Sequence, residues 1–274
     1  MLGAVIYVLR AENSAPLSPI NGRLMHAAFF KILNEYSPAL CSFVHNEKNL
    51  KPFTVSFLES AEEIALVEER RQVRRGEKFF WRVTGLNKEI LQAALSVKVG
   101  EKIQAGGLIL RVEKIICDGN IRIDSGVMSI EDFILGVKHA PPAKEICFNF
   151  VSPVSFRIDE FDAPYPRPEL IFASLADKWT QSEMPAAVDK KIIRELAAQI
   201  RLTQWSGESK KFYFGRDRGT LAFFGQFLYD FAAISNDLKK VFLLLAKFGE
   251  FAGVGRLTGQ GFGQTRVSWR TMAC

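Results

Sequence analysis

The chain predicts two α+β domains, each built on the order strand, helix, strand, strand, helix, strand, and three observations lead there. Apolar residues switch repeatedly between alternation and helical spacing, which marks strands and helices in turn. The cycle runs through once by about residue 126 and begins again near Ala143. Between the two rounds lies the proline-bearing stretch HAPPA, 139–143, a natural interruption. This order is the split βαβ arrangement of ferredoxin-like (RRM-like) domains, in which an antiparallel sheet carries helices on one face. With 274 residues there is room for two cores, and the expected domains are 1–139 and 140–274.

In the first round AVIYVLRAE (4–12) alternates and is β-branched, predicting a strand, and a polar turn follows from Asn13 to Pro19. NGRLMHAAFFKILNEY (21–36) puts Leu24, Ala27, Ala28, Lys31 and Ile32 at helical spacing, with Pro38 as the interruption. PFTVSFLES (52–60) and GEKFFWRVTGL (76–86) form an expected strand pair joined by a charged connection. NKEILQAALSV (87–97) is a helix opened by Asn87, and GGLILRVEKIIC (106–117) and NIRIDSG (120–126) supply further strands.

The second round opens with the strand KEICFNFVSPVSFR (144–157), followed by helices at PELIFASLADKW (168–179) and VDKKIIRELAAQIRL (188–202). SKKFYFGR (209–216) and TLAFFGQFLYDFA (220–232) alternate as a strand pair. NDLKKVFLLLAKFGEF (236–251) is a helix with Asn236 as its expected cap, and GFGQTRVSW (261–269) closes the sheet. The halves share an order of elements but no visible sequence repeat.

Composition narrows the function classes. Hydrophobic residues make up 48% and charged residues 24% of the chain, with a mean hydropathy of +0.04, as in globular proteins. The most apolar run, Val241 to Ala246, is far below the roughly 20 residues a membrane helix needs, and no secretory leader opens the chain, so a cytoplasmic protein is expected. Cys41, Cys117, Cys147 and Cys274 are scattered, with no zinc-ligand or thioredoxin spacing, and read as reduced structural thiols. A net charge of +6 and a pI near 9.1 favour a polyanionic partner. Basic residues cluster at Arg70, Arg71, Arg74, Arg75 and Lys78, and from Gly253 to Arg270 there are three arginines and no acid. The 23 phenylalanines could stack bases on an open sheet face, although most must fill the two cores.

The second basic stretch holds the glycine-rich segment GVGRLTGQGFGQTRV (253–267), with Gly253, Gly255, Gly259, Gly261 and Gly263 among Arg256 and Arg266. Glycines let a phosphate approach successive amides, and guanidinium forks match its oxygens. A dinucleotide fingerprint would need a strand before the segment and a helix after it, the reverse of the order here, and no Gly-Lys-Ser/Thr marks a Walker loop. The segment is therefore expected to bind a phosphate backbone.

Three histidines exist, at 26, 45 and 139, and His139 falls in the apparent linker. Cutting RNA without a metal requires a base for a 2′-hydroxyl, an acid for the departing 5′-oxygen and a cation for the charge at phosphorus. His26 and His45 are candidates for the first two tasks and Lys51 for the third, if the first helix and the following turn pack together. No metal or other cofactor is expected, because the acids Asp159, Glu160 and Asp162 read as a solvated turn without further ligands. No nucleophile elbow is present.

Four segments carry a family resemblance: LMHAAFFKILNEYSPALCSFVHNEKNLKPFTVSFL, FVSPVSFR, PYPRPELIFASLADKW and GVGRLTGQGFGQTRV. They resemble the CRISPR-associated precursor-crRNA processing endoribonucleases, the sixth Cas family of the repeat-associated RNA-binding superfamily. The resemblance implies tandem ferredoxin-like domains and metal-independent cleavage within CRISPR repeat RNA, leaving a 5′-hydroxyl and a 2′,3′-cyclic phosphate. It places His45 on the family's histidine after the first helix and Lys51 on the lysine before the second strand. It gives His26 a first-helix position that can hold an active-site group, while Phe30 stands where some relatives have tyrosine. It leaves open assembly with a CRISPR effector complex, and either a monomer or a homodimer. Two rivals remain: a repeat-binding module that does not cut, and a nucleotide-binding metabolic enzyme using the glycine segment.

Overall fold

In the computed structural model the described residues are 1–47, 50–61, 71–214 and 219–271, so Arg70 and Cys274 lie outside them. Contacts divide the chain into a first unit, 1–128 with 259–261, and a second, 129–258 with 262–274.

The first unit runs β1 (Leu2–Ala11), β2 (Ala15–Leu17), α1 (Gly22–Tyr36), α2 (Pro38–Asn46), β3 (Phe53–Val55), β4 (Glu59–Ser60), β5 (Arg71–Val73), β6 (Lys78–Gly85), α3 (Lys88–Ser96), β7 (Lys102–Ala105), β8 (Leu108–Ile116) and β9 (Gly126–Met128). Its main sheet has the order β3-β6-β1-β8-β7, with β1 antiparallel to both β6 and β8. Disregarding the edge strand β7, this is the 2-3-1-4 order that a split βαβ fold requires. Helix α1 buries Met25, Ala28, Phe29, Ile32 and Leu33, one stripe at helical spacing, into a core shared with Phe53 and Trp81. The pair Ser37-Pro38 then divides helix from helix. Ser37 is extended, as a residue before proline prefers, its amide closes α1 on Leu33 O, and its hydroxyl accepts from Leu40 N at 3.2 Å to open α2. That break turns the chain back and brings His45 toward α1.

The second unit runs α4 (Ile130–His139), β10 (Ala143–Val154), β11 (Phe156–Ile158), β12 (Phe161–Ala163), α5 (Pro168–Gln181), α6 (Lys190–Ala197), β13 (Arg201–Tyr213), β14 (Gly219–Asp230), α7 (Asn236–Ala252) and β15 (Thr265–Thr271). The sheet order β13-β14-β10-β15 repeats the 2-3-1-4 pattern, so both halves are ferredoxin-like. Phe148, Phe150, Phe172, Phe223 and Phe242 are buried in this unit, which accounts for much of the phenylalanine content. No helix among the described residues is long and apolar enough to cross a membrane.

Several elements differ from expectation. The stretch around HAPPA is not the divide, because Ser129 caps α4 through Asp132 N at 2.9 Å and 129–139 group with the second unit. His139 ends that helix rather than lying in a linker. NIRIDSG is not a strand: Asp118 takes the amide of Asn120 and Ser125 Oγ bonds back to Asp118 O, a local polar turn that outcompetes the alternating Ile121 and Ile123. Only from Gly126 does the chain pair with β1. The turn at 13–19 contains β2, which pairs with β5. Asn236 is the first residue of α7 and not its cap; Ser235 holds that position and makes no side-chain cap hydrogen bond. By contrast Asn87 does cap α3, accepting from Ile90 N at 2.9 Å.

Candidate active site

Successive turns of α1 place His26, Ala27, Phe30, Lys31, Asn34 and Glu35 along one wall of a cleft of about 470 Å³, and His45, from the last turn of α2, forms part of the same lining. Phe30 stands between the imidazoles, its ring centroid 4.8 Å from His26 and 5.8 Å from His45. Phe53 flanks His26 at 5.6 Å.

His26 Nδ1 lies 2.7 Å from the carbonyl oxygen of Gly259. A carbonyl can only accept, so Nδ1 carries the hydrogen and, in the neutral ring, Nε2 keeps its lone pair. Burial lowers the His26 pKa below the ordinary histidine value; the Gly259 bond opposes this, and the charges of Lys51 and His45 add to it. The result is a neutral imidazole with a fixed tautomer and a free nitrogen.

Lys51 is placed differently from what its residue type suggests. Its ammonium donates to Val44 O at 2.7 Å, His45 O at 3.0 Å and Glu47 O, so it closes the carbonyl end of α2 just beneath His45. Burial lowers its pKa, with Glu47 opposing. All three ammonium hydrogens are thereby occupied. Lys31 is the lysine that lines the cleft, with Nζ 3.2 Å from Gln104 Oε1 at the exposed rim. Lys31 follows Ala27 by four residues, one turn along the same face of α1, and both line the cleft.

The glycine-rich segment is ordered by its own packing. Gly253, Gly255, Gly261 and Gly263 have φ of 65°, 75°, 89° and 73°, and a Cβ would meet Thr258, Ser155 O, Phe57 and Val254 O respectively within 2.7 Å. These glycines therefore permit close chain packing. The amides of Val254, Gly255, Arg256, Phe262, Gly263 and Gln264 are taken by Gly263 O, Ser174 Oγ, Ser155 O, Leu257 O, Pro153 O and Ser152 Oγ. Amides turned outward can come only from 257–261, which includes the single 3-10 turn Thr258–Gln260. Gly259 alone of the five has open room, its nearest neighbour being His26 Nδ1 at 3.5 Å from a built Cβ.

Arg256 is held within the second unit, with Nη1 2.9 Å from Asp162 Oδ1 and Nη2 3.0 Å from Thr220 Oγ1. Asp162 is consequently no solvated acid, since its other oxygen accepts from Leu221 N at 3.0 Å. Glu160, by contrast, is well exposed and pairs with Arg157. Arg266 lies on β15 opposite Asn149, exposed to solvent. The structure thus joins His26, His45, Lys51 and Gly259 in the first unit, whereas Gly253, Gly255, Arg256, Gly263 and Arg266 belong to the second. Among the described residues no group of three or more His, Cys, Asp or Glu side chains is arranged to hold a metal ion.

Two family models match the chain: the CRISPR Cas6 N-terminal domain over residues 4–101, and CRISPR-associated endoribonuclease Cas6 over 148–265. No curated protein matches. Among solved structures, the product complex of a Thermus thermophilus Cas6 is 24% identical, with 98% of this chain and 100% of that one covered at a TM-score of 0.79. Another Cas6 product complex is 21% identical over 97% and 99%, TM-score 0.73. A Cas6-related protein from Pyrococcus furiosus is 15% identical over 97% and 98%, TM-score 0.63. At these identities the structural likenesses establish the fold.

Proposed function

Since this chain belongs to the CRISPR-associated endoribonuclease Cas6 family, we propose that it cuts CRISPR repeat RNA at the cleft between α1 and α2, with His26 as general base and His45 as general acid. The observation that carries the assignment is the 2.7 Å contact of His26 Nδ1 with Gly259 O, which leaves Nε2 as the basic atom. In the reaction His26 Nε2 takes the 2′-hydroxyl proton, the 2′-oxygen bonds to phosphorus, and the 5′-oxygen leaves with a proton from His45. The products are a 2′,3′-cyclic phosphate and a 5′-hydroxyl, and no metal enters the balance. Burial favours the base because it keeps His26 neutral at neutral pH. His45, exposed at the end of α2, can exchange its proton with water between turnovers.

The cation for the transition state is assigned to Lys31, which lines the cleft, while Lys51 braces the α2 end that carries His45 and contributes charge from there. Arg266, the loop segment 257–261 and the ordered glycines are assigned to the RNA backbone, with Arg256 shaping the loop through Asp162. Relatives of this fold are described as product and substrate-mimic complexes, and one as an RAMP protein binding different RNA substrates, which supports RNA as the ligand.

The test is incubation of the purified chain with repeat RNA in EDTA. We expect cleavage at one phosphodiester, and a loss of about 100-fold or more in rate for His26→Ala and for His45→Ala, with RNA affinity retained within a few-fold. A requirement for a divalent metal, or wild-type rates in both variants, would overturn the assignment.

A further inference from the structure

Lys178, on α5, is only 7% exposed, and nothing in the proposed chemistry uses it. Its Nζ is 3.0 Å from Ala252 O, 2.9 Å from Gly253 O and 3.3 Å from Thr258 Oγ1. Enclosing an amine is costly unless each of its hydrogen-bonding positions is met, and a methionine would fill similar volume without that cost. The partners explain its presence. Ala252 and Gly253 carry the carbonyls that end α7, which lack partners within the helix, and no basic residue stands in that helix's last turn. Thr258 lies five residues on, so one side chain closes the segment at both of its ends.

The closure is tight. Gly253 turns the chain at φ 65°, and Thr258 Cγ2 sits where a Cβ on Gly253 would come within 2.7 Å. Between the two ends, Gly255 lies against Ser155 O and Arg256 reaches Asp162. Either protonation state satisfies the arrangement: an ammonium donates to all three oxygens, and a neutral amine donates to the carbonyls while accepting the threonine hydroxyl.

We propose that Lys178 is a positioning residue for RNA binding, holding the segment 253–258 of the glycine-rich loop in the one conformation that the repeat backbone meets. It touches neither RNA nor the reacting atoms. The inference rests on the reading of that loop as an RNA-binding element.

The test compares the full-length wild type with Lys178→Met and Thr258→Val, measuring the Kd for repeat RNA, the single-turnover rate at saturating RNA and the melting temperature. Lys178→Met should raise Kd about tenfold, with the saturated rate within about threefold of wild type, and Thr258→Val should raise Kd less, in the same direction. A merely structural lysine would lower the melting temperature and the active fraction without moving the Kd of the folded molecules. If Lys178→Met does not fold, Thr258→Val decides alone, because the lysine and its carbonyl bonds remain. Unchanged Kd in every folded variant overturns the proposal while leaving the RNA reading intact. A wild type that binds no repeat RNA overturns that reading and the proposal with it.

Discussion

At the scale of single residues, two lysines stand near the cleft, where the sequence offered Lys51 alone as the cation. Lys51 donates its hydrogen bonds to the Val44, His45 and Glu47 carbonyls, whereas Lys31 lines the cleft. Replacing Lys51 with methionine should destabilise the fold by about 1–2 kcal/mol, visible as a lower melting temperature, and slow cutting by loosening His45. Lys31→Ala should leave the melting temperature unchanged, because its contact with Gln104 is exposed, and should slow cutting about tenfold or more. The opposite pattern would return the cationic role to Lys51. Residue type alone made both histidines candidates, and the structure puts them in the lining of one cleft; what the sequence could not supply was the direction of each side chain. Whether an ammonium faces a substrate or a helix end depends on how Lys51 packs against the carbonyl end of α2, which no periodic signal in the sequence records.

At the scale of elements, the glycine-rich segment was legible as special, and the packing of its glycines adds a physical reason that spacing alone does not show. Five closely spaced glycines announce tight backbone geometry, and the structure uses four of them to pack the chain against itself. Gly255→Ala would put a Cβ 2.5 Å from Ser155 O at φ 75°, and should cost roughly 2 kcal/mol or more in a denaturant melt. Gly259→Ala has open room and should keep wild-type stability, yet slow cutting several-fold, since the new methyl lies against His26. Helices and strands with strong periodicity were read correctly, among them α1, α3, α7 and β10. Among the misses are elements in which local polar bonding outweighs pattern, the turn of Asp118, Asn120 and Ser125 and the short helix α4 with its Ser129 cap, and the strand β13, which begins at Arg201 inside the stretch expected to be helical.

At the scale of the whole molecule, the 2-3-1-4 strand order appears in both halves, and the element order along the chain was sufficient to foresee it. The division at 128/129 was not foreseeable, because α4 belongs with the second core through packing such as Phe133 on Phe251. Global stability should carry a signature of Lys178, whose pKa burial lowers to about 7. Between about pH 7 and the ordinary lysine value the unfolded chain binds a proton that the folded chain does not, so raising the pH favours folding. The stability of wild type relative to Lys178→Met should accordingly rise across that interval in urea melts and level off below about pH 7, where both states carry the proton. A difference that stays flat with pH would mean the amine is not desolvated as its burial implies.

The paired imidazoles of the α1–α2 cleft are tested most directly by the pH dependence of single-turnover cleavage of repeat RNA in EDTA. A buried base predicts a rate that climbs with pH through a midpoint below the ordinary histidine value, and His26→Ala should remove that limb. Persistence of the limb in His26→Ala, or a reaction that proceeds only when a divalent metal is restored, would contradict the account.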